Sequence, residues 1–300
     1  MLLMVRLVDP AVLGVRENPY MSVVILQFLI FVLPTLFFCK LRSGADSEVR
    51  YRSKLRLSVV TGDHVIFLAF AALSLILAGA VMKIGLSFLA PRISETVASA
   101  PVTAVSYMEV YTTEGAIDTI YAILTFAVLP AVCEEFLFRS VLAAEYEKSG
   151  VSCAVIMSAV MFAMLHFNMQ MFLVYFVSGL ILMLVMYTTR SVFGSMVVHI
   201  LNNIFSIYFE DYIWKMLSSP QNTAIVVFIL AALLLLFLII MFSEAERIYH
   251  NYGVMNVTSS YADTASKKRK SGEPNSFVNA LISPPFILLA IFFIIACAFI

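Results

Sequence analysis

The chain has 300 residues, of which 62% are hydrophobic and only 13% charged, with a mean hydropathy of +0.97. That balance excludes a soluble globular body and predicts an integral membrane protein with room for about eight spans of roughly 20 residues and no separate soluble domain. Basic and acidic residues number 19 each, so the net charge is zero, the pI is near 6.9, and no nucleic-acid partner is expected.

In chain order, Met1–Tyr20 is broken by Arg6, Asp9, Pro10, Arg16, Glu17 and Pro19, and lacks the single apolar core of a cleavable signal peptide. The first predicted span is Met21–Cys39, with Pro34 as a kink. A polar link, Lys40–Asp63, carries Lys40, Arg42, Arg50, Arg52, Lys54 and Arg56, and Val65–Val81 is the second span. Ala90–Gly115 is rich in Ser and Thr, holds Arg92 as its one basic residue, and is expected as a loop on the opposite side. The third span runs from about Ala116 to Leu142 and on through Glu145, Glu147 and Lys148 to a turn at Ser149-Gly150. Val151–Phe167, Met171–Tyr187, Ser191–Phe209 and Ala224–Phe242 follow, then a polar link, Ser243–Ala280, and a short last span, Pro284–Ile300. The expectation is therefore an all-α, polytopic membrane helix bundle.

Short loops rich in Lys and Arg stay cytoplasmic, which assigns the sides. The Lys40–Asp63 and Ser243–Ala280 links, Lys148 and Arg190 fall on one side, and Arg6, Arg16, Arg92 and Lys215 on the other. The expected location is the cell membrane, with the lipid bilayer as partner, both links in the cytoplasm and both termini outside. The Lys267–Lys270 run is read as cytoplasmic retention charge, and the Asn256-Val-Thr258 sequon in the same link as a chance match.

The third span holds the informative stretch, Ala131–Leu142, where Glu134, Glu135 and Arg139 interrupt apolar sequence. Charges at a bilayer centre cost about 2.5–3.5 kcal/mol each, so three together predict a buried polar site. Glu135 and Arg139, four apart, share a helix face and can pair, while Glu134 points about 100° away and stays free. Cys133 lies beside Glu134, yet a thiol in an apolar span is far more often a small packing residue; with Cys39, Cys153 and Cys297 it shows neither a CxxC pair nor a disulfide framework.

Later spans add His166, His199, Asn202 and Asn203. A buried histidine is usually a satisfied core residue, but the depths here coincide. Glu134 and His166 lie at similar distances on either side of the Ser149-Gly150 turn and come level in an antiparallel hairpin, and His199 lies roughly 13 Å past Arg190 at 1.5 Å per residue. A carboxylate beside an imidazole can deprotonate a water, and a second imidazole with an amide can donate to an oxyanion. Hydrolysis is the chemistry this layer suits. A cluster that merely fastens helices does not require three ionisable residue types at one depth.

These residues also fall into a familiar order: Glu134-Glu135-Phe-Leu-Phe-Arg139, Phe162-Ala-Met-Leu-His166 and His199-Ile-Leu-Asn-Asn203. They match EExxxR, FxxxH and HxxxN, and over Ala116–Phe209 the chain resembles the CPBP family of CAAX proteases and bacteriocin-processing enzymes, also called Abi, which includes the type II CAAX prenyl endopeptidases. The resemblance implies an intramembrane endopeptidase with Glu134, His166, His199 and Asn203 catalytic and Glu135, Arg139 and Phe162 supporting. It also implies a division into an N-terminal membrane segment 1–115, a core 116–209 and C-terminal spans 210–300. The expected substrate is a membrane-associated or lipidated peptide or protein cut near its C-terminus. A transporter, or a non-catalytic immunity or scaffold protein, is the competing expectation; neither repeated halves nor a lost motif residue supports these.

Two routes to the nucleophile stay open. Glu134, His166 and His199 can be read as a zinc set with an open position, as in a metalloprotease. Without HExxH spacing, and with Glu135 committed to Arg139, a metal-free route with Glu134 as base is preferred and no cofactor is expected, zinc being the alternative.

Overall fold

The computed structural model describes residues 23–25, 27–45, 55–93, 116–217, 220–254 and 276–299 of the chain. The Lys267–Lys270 run, the Asn256 sequon and the basic residues Arg50, Arg52 and Lys54 lie outside them, as do Arg6 and Arg16.

Every predicted span is helical: α1 (Val23–Ser43), α2 (Val65–Ile93), α3 (Thr119–Ser149), α4 (Val151–Leu165), α5 (Phe172–Thr189) and α6 (Val192–Tyr208). After these come a short α7 (Glu210–Leu217), a long α8 (Pro220–Val254), α9 (Ser276–Leu281) and α10 (Pro284–Phe299). No strand occurs among the described residues.

The count of eight full spans is where expectation and structure differ. Among the described residues five helices, α1, α2, α3, α5 and α8, are long and apolar enough to cross a bilayer, and α6 joins them if it is counted with α7 across a 50° bend. The helices α4 and α10 are apolar but shorter; the 15 residues of α4 rise about 22 Å, less than the roughly 30 Å hydrocarbon thickness. Helix α8 continues beyond Phe242 into the predicted link as far as Val254, carrying an Arg247–Glu244 pair at 2.7 Å one turn apart. Likewise α2 runs past Val81, and its Lys83 pairs with Glu210 at 2.6 Å.

Local sequence explains the ends and irregularities. Gly150, at φ 109°, takes a backbone conformation that only glycine adopts without strain and turns α3 into α4. Ser191 caps α6 by accepting from the Phe193 N–H at 3.2 Å. Pro220 and Pro284 open α8 and α10, where a missing N–H costs nothing. Pro34 and Pro130 instead sit inside helices, and each follows directly on a wide π-helical turn, Phe28–Val32 and Ile123–Val128. A proline ring clashes with the carbonyl four residues back, and the wide turn removes that clash without ending the helix.

Helix α2 forms the centre, packed against α5, α6 and α8. Phe67, Ala71, Leu75 and Ala78 of α2 share one buried cluster with Phe31, Phe138, Phe162, Leu182, Val198 and Met241. Small residues on α2 let its neighbours approach closely, the main source of helix association where lipid is the solvent. The outer face of α8 exposes Phe228, Leu235 and Ile239, and that of α10 Leu288, apolar surface that is stable against acyl chains. The chain is an integral membrane protein.

Charged residues gather at the two ends. At one end Arg42 holds Glu145 by two bonds of 2.9 and 3.0 Å, Arg56 pairs with Glu147, Arg190 lies 3.9 Å over the Tyr252 ring and Arg247 donates to the Asp63 carbonyl at 3.0 Å. At the other are Lys83–Glu210 and Lys215.

Candidate active site

Glu134 and Glu135 sit on Leu129–Glu135, about two α-helical turns flanked by two π-helical segments, Ile123–Val128 and Phe136–Leu142, the second of which carries Arg139. Wide turns leave carbonyls partly unpaired and recur at functional sites. Here side chains from neighbouring helices meet them: Asn203 Nδ2 donates to the Ala127 carbonyl at 3.3 Å and Ser158 Oγ to the Phe138 carbonyl at 2.9 Å. Ser140 Oγ donates to the Leu55 carbonyl at 2.6 Å, tying the segment before α2 to the same helix.

Glu135 and Arg139 are fully buried and paired at 3.0 Å, as their spacing predicts. One carboxylate oxygen, Oε1, serves two partners, because His199 Nδ1 also approaches it to 2.8 Å. A ring nitrogen beside an ionised carboxylate is the donor, so His199 carries its proton on Nδ1 and turns Nε2 away from Glu135. Arg139 further donates to the Gly179 carbonyl at 3.4 Å, and its guanidinium lies 4.3 Å over the Phe162 ring. That contact depends on Gly179: a Cβ there would stand 2.9 Å from the Ala159 backbone, so only glycine lets α5 close on α4. The second Glu135 oxygen has no hydrogen bond among the described residues, and Ser195 beside it donates to the Val192 carbonyl at 2.9 Å.

Phe162 is the common wall. Its ring meets His166 edge-on at 4.9 Å and His199 at 5.8 Å, so the residue expected to support the site contacts both imidazoles as well as the arginine. His166 Nδ1 donates to the Phe162 carbonyl at 2.9 Å; a carbonyl can only accept, which leaves Nε2 as the free nitrogen of the neutral ring. Its other face stacks on Tyr175 at 3.7 Å and 16°.

Glu134 is half-buried and, among the described residues, no hydrogen bond reaches its carboxylate. It lies within reach of the charges of His199, Glu135 and Arg139. Among the described residues no bond joins Glu134 to His166; the imidazole–carboxylate pair that forms is His199 with Glu135. Asn202, half-buried, has no hydrogen bond among the described residues. Cys133 is buried within the main core cluster.

Among the described residues no group of three His, Cys, Asp or Glu side chains is placed to hold a metal ion. Tyr175, Gly179 and Ser158 were not signalled by sequence pattern. Each acts through a contact between helices, and the only available hint was polarity or small size within an apolar run.

The first motif, the second and the third thus meet on α3, α4 and α6, with α5 closing behind them. A family model described as "Type II CAAX prenyl endopeptidase Rce1-like" matches residues 116–205, the segment that contains all three motifs. No curated protein and no solved structure matches the chain. Over residues 116–205, then, this all-helical membrane protein is similar to the Rce1-like family of type II CAAX prenyl endopeptidases.

Proposed function

We infer that the polar layer hydrolyses a peptide bond near the C-terminus of a membrane-associated or lipidated protein or peptide. The observation that carries this is the Glu134 carboxylate, free of hydrogen bonds among the described residues, beside a histidine whose ring is held by a second, fully buried glutamate. An unengaged carboxylate among apolar helices is a strong acceptor for a water proton, since little solvent competes for it. His166 offers Nε2 to the same water, because Nδ1 is committed to the Phe162 carbonyl.

As the water oxygen attacks the peptide carbonyl, its proton passes to the Glu134 carboxylate and negative charge develops on the carbonyl oxygen. His199 and Asn203 donate to that oxygen. Asn203 uses one amide hydrogen on Ala127 and retains the other. His199 donates from Nε2 when it carries both ring protons, with Glu135 as counter-charge 2.8 Å away. Collapse of the intermediate breaks the C–N bond, and the proton held by Glu134 moves to the departing amine. Arg139 keeps Glu135 ionised and in place.

A metal-free route is part of this proposal, because Glu135 is committed to Arg139 and His199 and leaves Glu134 as the carboxylate free to act as base. The proposed orientation puts the end that bears Arg42, Arg56, Arg190 and Arg247 in the cytoplasm of a cell-membrane protein, because short basic loops resist translocation. The test is cleavage of a quenched peptide with a prenylated cysteine four residues from its C-terminus, by detergent-purified protein with and without chelator. Cleavage that disappears in Glu134→Gln and survives chelation is the expected result. Stoichiometric zinc whose removal stops cleavage and whose return restores it would overturn the metal-free part, and no cleavage by the wild type would overturn the reading itself.

A further inference from the structure

His166 ends α4, and the chain then reverses within a few residues into α5. Phe167 takes φ 46°, and Asn168 Oδ1 accepts from the Met171 N–H at 3.0 Å, so the turn is tightly pinned. The first turn of α5 is in register at once, with the Tyr175 N–H on the Met171 carbonyl at 3.0 Å. This hairpin brings Tyr175 back over the residue that preceded the turn. Its ring lies nearly parallel to the His166 imidazole, 3.7 Å away and tilted by 16°, closer than the edge contact with Phe162 on the imidazole at 4.9 Å. Two aromatic walls and one backbone hydrogen bond therefore hold His166: Phe162 by its ring and carbonyl, Tyr175 by its face.

Phe162 and the backbone bond alone leave the imidazole free to swing about χ2 by breaking one hydrogen bond. A stacked ring resists that rotation, because any tilt loses face-to-face contact over the whole imidazole. It also keeps water from the face of the ring, so that Nε2 is its one open polar atom. We propose that Tyr175 is a positioning residue: its ring, and not its hydroxyl, fixes the His166 imidazole so that Nε2 faces the water-activating carboxylate layer. The inference rests on the protease reading for its consequence in catalysis, but the positioning itself can be measured without any substrate.

The experiment uses the full-length chain in detergent and compares wild type with Tyr175→Leu, Tyr175→Phe and Tyr175→Met. Met fills the volume without a ring and serves if the leucine variant does not fold. The first readout is carbethoxylation of His166 by diethylpyrocarbonate, followed by mass spectrometry. Loss of the stacked face should speed modification about fivefold or more in the Leu and Met variants and leave Phe near wild type, since freed rings react from orientations that stacking forbids. The second readout is cleavage of the prenylated quenched peptide, in which Leu and Met should lower kcat about ten- to a hundredfold with little change in KM, as expected when a catalytic group is misplaced by about 1 Å. Phe should stay within roughly threefold of wild type, because geometry is kept.

Unchanged His166 reactivity in folded Leu and Met variants would overturn the proposal. So would a Phe variant as impaired as the Leu variant, which would assign the effect to the hydroxyl. If the wild type leaves the peptide uncut, the protease reading falls, and the reactivity comparison alone decides whether Tyr175 positions His166.

Discussion

Arg139 and Glu135 show how narrowly single residues define this site. Both are fully buried, and an ion pair at that depth is stable only because each desolvated charge has a partner. Arg139→Ala leaves Glu135 with His199 alone, so a loss of about 3–5 kcal/mol is expected, seen as a lower thermal midpoint in detergent, with Arg139→Met less damaging than Ala because it refills the space. The proposed catalytic residues and the packing residues separate at neighbouring positions. Cys133 packs into the apolar core, so Cys133→Ala should keep most of the proteolysis, whereas Glu134→Ala, His166→Ala and His199→Ala should each lower kcat about a hundredfold or more. A folded but inactive Cys133→Ala protein would refute the glutamate assignment.

At the scale of elements, the decisive unit is α3 with its two wide turns. Pro130 explains the first of them, since the ring cannot sit four residues above a carbonyl in a regular helix. The second, Phe136–Leu142, contains no proline, and its Phe138 carbonyl is met by Ser158 across the α3–α4 contact. Ser158→Ala should therefore destabilise the protein by about 0.5–1.5 kcal/mol, the net value of one buried hydrogen bond, measured by denaturation in detergent. The α4–α5 contact is more sensitive. Gly179→Val places carbon against the Ala159 backbone, where a Cβ already comes to 2.9 Å; the helices must part, at a cost of about 1–3 kcal/mol. Separation also withdraws the Gly179 carbonyl from Arg139, so activity should fall more than stability alone would account for.

For the whole molecule, the concentration of arginines at one end makes orientation testable. Cysteines introduced into the 40–63 and 243–280 segments of a chain freed of native cysteine should be shielded from an impermeant thiol reagent in intact cells and labelled once the membrane is opened. Labelling of both from outside would reverse the orientation. The apolar outer faces of α8 and α10 also predict that the protein is soluble only with detergent or lipid around them.

Membrane character, helix positions and the Glu135–Arg139 pair were legible in the sequence because they depend on local properties: the length of apolar runs, the expense of charge among them, and the 3.6-residue helix period. The order of the three motifs likewise placed the candidate site residues on three separate spans, α3, α4 and α6. Side-chain partnership between helices was not legible. That His199 takes Glu135 and not Glu134, that Phe162 walls two imidazoles, and that Tyr175 stacks on His166 depend on helix rotation and close approach, which hydropathy does not encode. The lengths of α4 and α8 depart from expectation for a related reason. A helix continues or stops according to what its end meets, as Arg247 meets Glu244 and the Asp63 carbonyl, and only the packed tertiary structure supplies those partners.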